Sequence, residues 1–257
     1  MSWALIAGGS KGIGLGIAEA LAKRSYNLFL VARNADDLAS AKDRLENEFR
    51  VQVEILSCDL SQPDSPDAIY AWCVKINPEL KILCNAAGMG GSSDFPELSL
   101  IDTRTMIRLN LDSAVSLSHR FIPLLKIAAP SYILNVGSMA GFAPIPIKNI
   151  YSATKSALLF FSYSLKNLLK KDNISVSCLC PGPVYSKPSI EKETIKKLGM
   201  IGRQMAVMPG MVGEYAVRCM LRRKLIIVPG KLARFISFLL RMLPRRFLAR
   251  ILYRPEN

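Results

Sequence analysis

Seven short apolar runs, separated by longer segments with helical spacing, constrain the fold of this chain more than any other feature of its sequence. The runs are Ala4–Ala7, Leu28–Ala32, Val51–Leu56, Leu80–Cys84, Tyr132–Val136, Ile174–Cys178 and Leu225–Val228. They are apolar throughout instead of alternating, which is typical of parallel strands buried on both faces. Helical spacing is found in Gly14–Arg24, Ala35–Phe49 and Ser152–Lys171. The sequence therefore predicts an α/β fold with a doubly wound parallel sheet of about seven strands.

A glycine-rich turn follows the first apolar run and leads directly into a helical segment. A pyrophosphate held by backbone N–H groups at a helix N-terminus needs a tight turn and a close approach that a Cβ would obstruct. The turn predicts a dinucleotide site, although tight turns and helix–strand packing also select glycine. The candidate cofactor residues in it are Gly8, Ser10, Lys11, Gly12, Ile13 and Gly14.

The end of the second apolar run indicates which dinucleotide is bound. A site for NAD would place an acidic side chain there to hold the ribose 2′-hydroxyl, but the residue after Ala32 is Arg33. Arg33 and Lys11 could together pair with a 2′-phosphate. Either cation could also be an ordinary solvated surface residue. We predict NADP(H) as the cofactor.

Tyr151 and Lys155 stand four residues apart in a segment with helical spacing, so both side chains can project from one helix face. Such a pair arises readily by chance, and an exposed i,i+4 contact is its ordinary explanation. Its context is more specific. Asn85–Gly88 reads Asn-Ala-Ala-Gly after the fourth run, Asn110 lies in a helical segment, and Ser138 follows the fifth run.

With these motifs, residues 3–230 resemble the short-chain dehydrogenase/reductase family. The resemblance rests on the glycine turn, Asp59-Leu60, Asn85–Gly88, Asn110, Ser138, Tyr151, Lys155 and Pro181-Gly182. It implies a Rossmann fold, a homo-oligomer and an NADP(H)-dependent enzyme that interconverts a carbonyl and an alcohol. The catalytic residues that it implies are Asn110, Ser138, Tyr151 and Lys155.

The resemblance also implies a role for each of these side chains. Tyr151 would be the general acid, and the Lys155 ammonium with the oxidised nicotinamide would lower its pKa from about 10. Ser138 would hydrogen-bond the substrate oxygen, and Asn110 would hold a water that connects Lys155 to solvent. Lys155 would also bind the nicotinamide ribose. Taken singly, Asn110 could be a buried helix residue and Ser138 a turn residue.

Further cofactor contacts are implied by the same resemblance. They are Asp59, Leu60, Asn85, Ala86, Gly88, Tyr151, Lys155, Pro181, Gly182 and Val184. Asp59 could equally stabilise its own turn. Two positions depart from the family pattern, because Ala7 replaces the commoner Thr or Ser before the glycine turn, and Tyr185-Ser186 stands where threonine is frequent.

Two segments add to a predicted dinucleotide-binding catalytic domain over residues 1–230. Residues 186–209 mix lysines with Met and Ile and predict a helical, partly apolar substrate flap. Residues 231–257 have a basic amphipathic pattern that Pro244 interrupts, and no stretch in them is long enough to span a bilayer. Residues 231–254 could lie on an anionic membrane surface, or their apolar face could pack on the domain or on a second subunit.

Composition excludes several classes of protein. Of the residues, 50% are hydrophobic and 21% are charged, which is unlike a disordered chain. Six cysteines without a Cys-x-x-Cys pair and a single histidine predict neither a metal site nor a disulfide framework. The net charge of +14 is concentrated in residues 218–257, which contain eleven basic residues, one acidic residue and no nucleic-acid-binding motif. The first residues lack a basic signal region and predict a cytoplasmic location, peripheral to a membrane if the tail binds lipid.

These patterns together predict an NADP(H)-dependent oxidoreductase for an apolar or lipid-like carbonyl, such as a ketone, a 3-oxoacyl group or a steroid-like compound. Nucleic acid is not expected as a partner. Ser92, Ser93 and Asp94 lie in the expected substrate loop and leave small polar substrates open. The alternative is a nucleotide-binding sensor or scaffold that uses the tail for membrane or partner contact.

Overall fold

The computed structural model describes residues 1–76, 78–91, 95–184 and 207–253. They form a seven-stranded sheet in the order β3-β2-β1-β4-β5-β6-β7, with every neighbouring pair parallel. The strands are β1 (Trp3–Ala7), β2 (Asn27–Ala32), β3 (Val53–Ser57), β4 (Leu80–Asn85), β5 (Ser131–Val136), β6 (Ile174–Leu179) and β7 (Ile226–Ile227). The predicted doubly wound parallel sheet is confirmed. The strand order reverses between β1 and β4, and a crevice at this point is where such sheets bind ligands.

Helices cover both faces of the sheet. They are α1 (Gly12–Ala22), α2 (Ala35–Phe49), α3 (Ser65–Val74), α4 (Leu100–Ile107), α5 (Ser113–Ile127), α6 (Asn149–Leu168), α7 (Pro209–Leu221), α8 (Lys231–Met242) and α9 (Arg245–Leu252). A π-helical turn at Arg108–Asp112 joins α4 to α5. The predicted C-terminal helices are therefore present, and they are separated at Pro244 because proline cannot continue a preceding helix.

Each strand buries side chains on both faces, which explains why the apolar runs do not alternate. In β1, Ala4 and Ile6 pack in a cluster with residues of α1, α2 and α7. Trp3 and Leu5 point to the opposite face and pack in a second cluster with residues of α3, α5 and α6. A third, smaller cluster joins the segment after β5 to α8.

Several predicted boundaries were wrong by a few residues. β3 begins at Val53 instead of Val51, because Arg50 ends α2 in the left-handed conformation with φ of 55° and Val51 belongs to the connection. β7 contains only Ile226–Ile227. α6 begins at Asn149, before the predicted Ser152, so Tyr151 lies in its first turn.

Two predicted features lie wholly or mainly outside the described residues. They are the substrate flap, of which only residues 207–209 are described, and the polar loop of Ser92, Ser93 and Asp94. Val184, which precedes the predicted flap, and Val207, which lies within it, are paired in a parallel β-bridge. Val207 therefore lies beside the segment that follows β6, which includes Pro181-Gly182.

Candidate active site

The structure brings Ser138, Tyr151 and Lys155 together beyond the carboxyl end of β5. Tyr151 lies in the first turn of α6, Lys155 follows one turn later, and Ser138 stands two residues after β5. The Lys155 Nζ donates a hydrogen bond of 2.9 Å to the carbonyl oxygen of Val136 and lies 5.9 Å from the centre of the Tyr151 ring. The Ser138 side chain lies near enough to the Tyr151 hydroxyl to favour its ionised form.

Burial dominates the electrostatics of these side chains. Lys155 is only 4% exposed, and removal from water disfavours its charged form and lowers its pKa to about 8. Burial raises the pKa of Tyr151, while the nearby Ser138 side chain acts in the opposite direction. Displaced pKa values in one cleft are typical of sites that transfer protons. The influence of Lys155 on the Tyr151 pKa stays a prediction.

Asn110 connects the segment after β4 to α6 from its position in the π-helical turn. Its Oδ1 accepts a hydrogen bond of 2.8 Å from the Met89 backbone N–H, and its Nδ2 donates one of 2.9 Å to the Met89 carbonyl oxygen. The same Nδ2 also donates to Thr154 Oγ1 at 3.3 Å. Asn110 therefore holds two walls of the cleft together, and its predicted contact with a water stays a prediction.

Gly88 leaves open the space between Asn110 and Lys155. A Cβ on Gly88 would lie 3.1 Å from the Asn110 Oδ1 and 3.3 Å from the Lys155 Nζ. Both distances are tighter than ordinary van der Waals contact. A Cβ there would force the Asn110 and Lys155 side chains to shift by a few tenths of an ångström, so glycine favours the observed positions of both.

The glycine turn packs closely against the segment after β4, as a dinucleotide cradle requires. Gly8 has φ of +88°, and a Cβ there would lie 2.6 Å from the Ala87 backbone nitrogen. Lys11 is the N-cap residue of α1 but makes no side-chain capping bond, and the first turn of α1, which includes Gly12, Ile13 and Gly14, contains no acidic residue. Among the described residues, Lys11 thus gives this turn no side-chain cap and the turn itself has no acidic side chain, so it fits a pyrophosphate.

The two cations predicted to select NADP(H) both lie close to carboxylates. The Lys11 Nζ forms an ion pair of 2.7 Å with Asp37 in the first turn of α2. Arg33 follows β2 and lies near Asp59, whose pKa is lowered mainly by the hydrogen bond from the Ser61 backbone N–H and to a smaller extent by the Arg33 charge. A 2′-phosphate at this position would therefore compete with Asp37 for Lys11.

Asp59 and Asn85 use their side chains within the protein. Asp59 Oδ1 accepts hydrogen bonds from the backbone N–H and the hydroxyl of Ser61, at 3.0 and 2.9 Å. Asp59 therefore stabilises its own turn, which was one of the two roles that the sequence left open for it. The buried Asn85 donates from Nδ2 to Asn135 Oδ1 at 2.8 Å and to Ser118 Oγ at 3.2 Å. Its Oδ1 is buried and has no hydrogen-bond partner among the described residues.

The remaining predicted cofactor residues follow the carboxyl ends of β3, β4 and β6. Leu60 is buried beside Asp59, and the Ala86 backbone N–H donates to the Ala7 carbonyl oxygen at 2.8 Å. The Pro181 carbonyl oxygen accepts from the Met139 N–H at 3.0 Å. Gly182 and Val184 continue that segment, whereas Tyr185 and Ser186 lie outside the described residues. A small depression beside the Tyr151 ring is lined by Gly91, Leu98, Met106, Ile147, Lys148, Asn149 and Ile150.

Several residues of the site were not singled out from the sequence. Thr154 contacts Asn110, and Asp37 pairs with Lys11. Cys178 and Cys180 are buried with their Sγ atoms 3.7 Å apart, close enough to Lys155 to favour its charged form. Thr154 lies within the Tyr-Ser-Ala-Thr-Lys segment and could have been found from its position between Tyr151 and Lys155. The others depend on contacts between distant segments.

The family model described as short chain dehydrogenase matches residues 2–196. The chain belongs to the short-chain dehydrogenase family. It is accordingly an oxidoreductase, as predicted. The very-long-chain 3-oxoacyl-CoA reductase of Mus musculus is 32% identical over 202 residues, which cover 76% of this chain and 64% of that protein. This chain thus spans less than two thirds of the length of that relative.

Two solved structures are similar over most of their length and contain NADPH. A short-chain dehydrogenase from Sphingobium yanoikuyae in complex with NADPH has a TM-score of 0.79 and 29% identity, covering 93% of this chain and 92% of that one. L-sorbose reductase from Gluconobacter frateurii, complexed with NADPH and L-sorbose, has a TM-score of 0.79 and 27% identity, covering 89% and 95%.

Proposed function

We propose that the protein is an NADP(H)-dependent reductase of apolar, lipid-like carbonyl compounds, with 3-oxoacyl thioesters as the first candidates. The observation that carries this proposal is the buried Lys155 beside Tyr151 and Ser138, at the end of a cleft that the glycine turn also borders. The catalytic domain extends over residues 1–230, and residues 231–257 are an extension of it. Cytoplasmic location and homo-oligomeric assembly remain predictions.

NADP(H) is the cofactor that this cleft fits best, and two similar structures contain NADPH. The first turn of α1 would hold the pyrophosphate, Lys11 and Arg33 the 2′-phosphate, and Lys155 the nicotinamide ribose. When bound, the reduced nicotinamide supplies a hydride to the carbonyl carbon of the substrate. The lowered pKa of Lys155 suits a group that exchanges protons near neutral pH.

The side chains of this protein would handle the proton and the developing negative charge. Tyr151 donates its hydroxyl proton to the carbonyl oxygen, and Ser138 donates a hydrogen bond to the same oxygen. The charged form of Lys155 stabilises the Tyr151 phenolate that remains. Asn110 hydrogen-bonds both Met89 and Thr154 of α6, and these bonds fix the segment around Met89 relative to that helix.

Two observations support a lipid-like substrate. Leu98, Met106, Ile147 and Ile150 line the depression beside Tyr151, so the wall nearest the proton donor is mainly apolar. The relatives that carry the name very-long-chain 3-oxoacyl-CoA reductase reach 32% identity. The similarity to L-sorbose reductase favours a polar ketone instead, and substrate profiling decides between them.

The test is NADPH oxidation by the full chain, measured with 3-oxoacyl thioesters of increasing acyl length, bulky ketones, steroid ketones and L-sorbose. We expect kcat/KM to rise with acyl length and to be lowest for L-sorbose. Tyr151→Phe should lower kcat by about 10²–10⁴-fold without weakening NADPH binding. Tyr163→Phe, an exposed tyrosine on the same helix, is the matched control and should retain activity.

The alternative is a nucleotide-binding sensor or scaffold that performs no turnover. NADPH binding without oxidation of any carbonyl in the panel would favour it over the reductase. Equal kcat in Tyr151→Phe and the unmodified chain would likewise contradict the proposed role of Tyr151.

A further inference from the structure

The helix α8 has two apolar sides, and only one of them is covered by the domain. Ala233 is buried, and Leu232, Ile236 and Leu240 pack against the third core cluster, which includes Met139 and Phe142. These residues lie on the side of α8 that faces the domain. Packing on the domain therefore accounts for part of the apolar residues of α8, as one of the sequence-based alternatives predicted.

The other apolar side of α8 faces solvent. Phe235, Phe238 and Met242 recur at helical spacing and are 61%, 53% and 68% exposed. The helix α9 repeats the arrangement, because Leu248 is buried while Phe247 and Ile251 are 50% and 56% exposed. Large exposed apolar side chains grouped in this way mark interaction surfaces. We call these five residues the tail surface.

Positive charge accompanies the tail surface along both helices. Residues 231–253 contain six basic side chains and no acidic one. The six are Lys231, Arg234, Arg241, Arg245, Arg246 and Arg250. Within the described part of the chain, none of them forms an ion pair with a carboxylate. The described carboxylates therefore leave the positive charge of this segment unneutralised.

We propose that α8 and α9 dock the protein on the surface of an anionic lipid bilayer, with the tail surface inserted at the boundary between headgroups and acyl chains. Basic amphipathic helices bind membranes in this way, through buried aromatic and aliphatic side chains together with cations on the headgroups. No described helix is both long and apolar enough to cross a membrane, so α8 and α9 lie in the interface. A second copy fits poorly, because two faces of the same positive charge would repel each other.

Docking by these helices would place the bilayer next to a wall of the catalytic cleft. α8 packs on Met139 and Phe142, which lie one and four residues after Ser138. Arg245 of α9 donates a hydrogen bond to the Phe142 carbonyl oxygen. A groove of about 440 Å³ separates α9 from the Phe142–Pro146 segment and from α6. Membrane docking does not depend on the proposed reaction. If that reaction is correct, docking also brings its lipid-like substrate to the cleft.

The experiment is flotation of the full chain with vesicles of neutral phosphatidylcholine, or of phosphatidylcholine containing about one third phosphatidylglycerol. We expect binding to the anionic vesicles and at least tenfold weaker binding to the neutral ones. The triple variant Phe235→Ser, Phe238→Ser, Met242→Ser should lose at least tenfold in partitioning. Ile127→Ser with Leu168→Ser, which removes apolar side chains that are 84% and 62% exposed elsewhere, should change it less than twofold.

A second set of variants tests whether the basic side chains of the tail contribute to vesicle binding. Arg246→Gln with Arg250→Gln should weaken anionic-vesicle binding by about fivefold per arginine, as each cation near such a surface contributes. Equal partitioning of the triple variant and the unmodified chain would overturn the proposal. Equal binding of the unmodified chain to neutral and anionic vesicles would also overturn it. So would sedimentation showing that the unmodified chain is an oligomer and that the triple variant is not, because the tail surface would then join two copies. Turnover of a water-soluble ketone by the triple variant reports separately on the proposed reaction.

Discussion

Burial of the charged Lys155 side chain lowers the free energy of unfolding. Its pKa falls from 10.5 to about 8 in the folded protein because burial disfavours the ammonium. Between these values the unfolded chain binds more protons than the folded one, so the unfolding free energy rises with pH in this window. Below pH 8 the folded protein carries the full penalty of a buried charge. The chemistry proposed for the cleft requires this side chain despite that penalty.

The variant Lys155→Met tests the penalty, because it removes the titrating group and retains most of the side-chain volume. The unfolding free energy of the unmodified chain should gain about 2 kcal/mol relative to the variant between pH 7.5 and pH 9.5. Urea unfolding of both proteins at the two pH values measures this gain. A difference between them that is independent of pH would show that Lys155 does not titrate in this window.

Asp37 is a residue through which the preference for NADP(H) over NAD(H) can be altered. It holds the Lys11 Nζ at 2.7 Å in a largely exposed ion pair, and such pairs contribute only about 0–1 kcal/mol. Asp37→Asn should free Lys11 for the 2′-phosphate and lower the KM for NADPH by up to about fivefold, with no change for NADH. Asp36→Asn, in the same first turn of α2, is the control. An equal effect of both variants on NADPH would point to the general charge of the turn instead.

At the scale of elements, α1 is held in place by α7 through a glycine contact. Gly16 and Gly213 face each other, and a Cβ on Gly213 would lie 2.6 Å from the Ile17 backbone nitrogen. An ion pair between Arg24 and Glu214 adds to this contact at 2.5 Å. Because α1 begins at the glycine turn, the close packing of the two helices also sets the position of the predicted pyrophosphate site.

Gly213→Ala should therefore destabilise the protein by about 1–3 kcal/mol, the usual cost of overpacking. Gly210→Ala in the same helix is the matched control, since the nearest atom to its Cβ would be 3.7 Å away. The control should have a neutral or slightly favourable effect, because alanine restricts the unfolded chain more than glycine does. Urea midpoints compare the two variants, and equal midpoints would exclude a tight α1–α7 contact.

The elements that could be predicted from the sequence are those that local pattern determines. The seven apolar runs correspond to the seven strands because parallel strands bury both faces. The start of β3 was misplaced because Val51 is buried without being in the strand, and hydrophobicity does not separate these two states. The hydrogen-bond partners of the Asn85 side chain, Ser118 and Asn135, could not be predicted, because they come from elements that only the folded sheet brings near it.

At the scale of the whole molecule, the tail packs on the domain with one side and exposes apolar side chains on the other. The sequence pattern identified one apolar side and left open whether it meets the domain or a membrane. The structure divides the apolar residues of α8 between Ile236 and Leu240, which pack on the core, and Phe235 and Phe238, which are exposed. A helical pattern alone cannot make this division, because it depends on where the rest of the domain lies.

A chain ending at Gly230 should accordingly lose stability as well as its docking surface. Without α8 and α9, Met139 and Phe142 lose their packing partners, and the Phe142 carbonyl oxygen loses the hydrogen bond from Arg245. We expect the Tm to fall by about 5–10 °C, since about 1 kcal/mol corresponds to 2–4 °C in a protein of this size. The kcat/KM for a water-soluble ketone should fall with it, because these residues follow Ser138. The triple variant Phe235→Ser, Phe238→Ser, Met242→Ser should keep both values. If truncation left the Tm and the turnover unchanged, α8 and α9 would contribute nothing to the catalytic cleft.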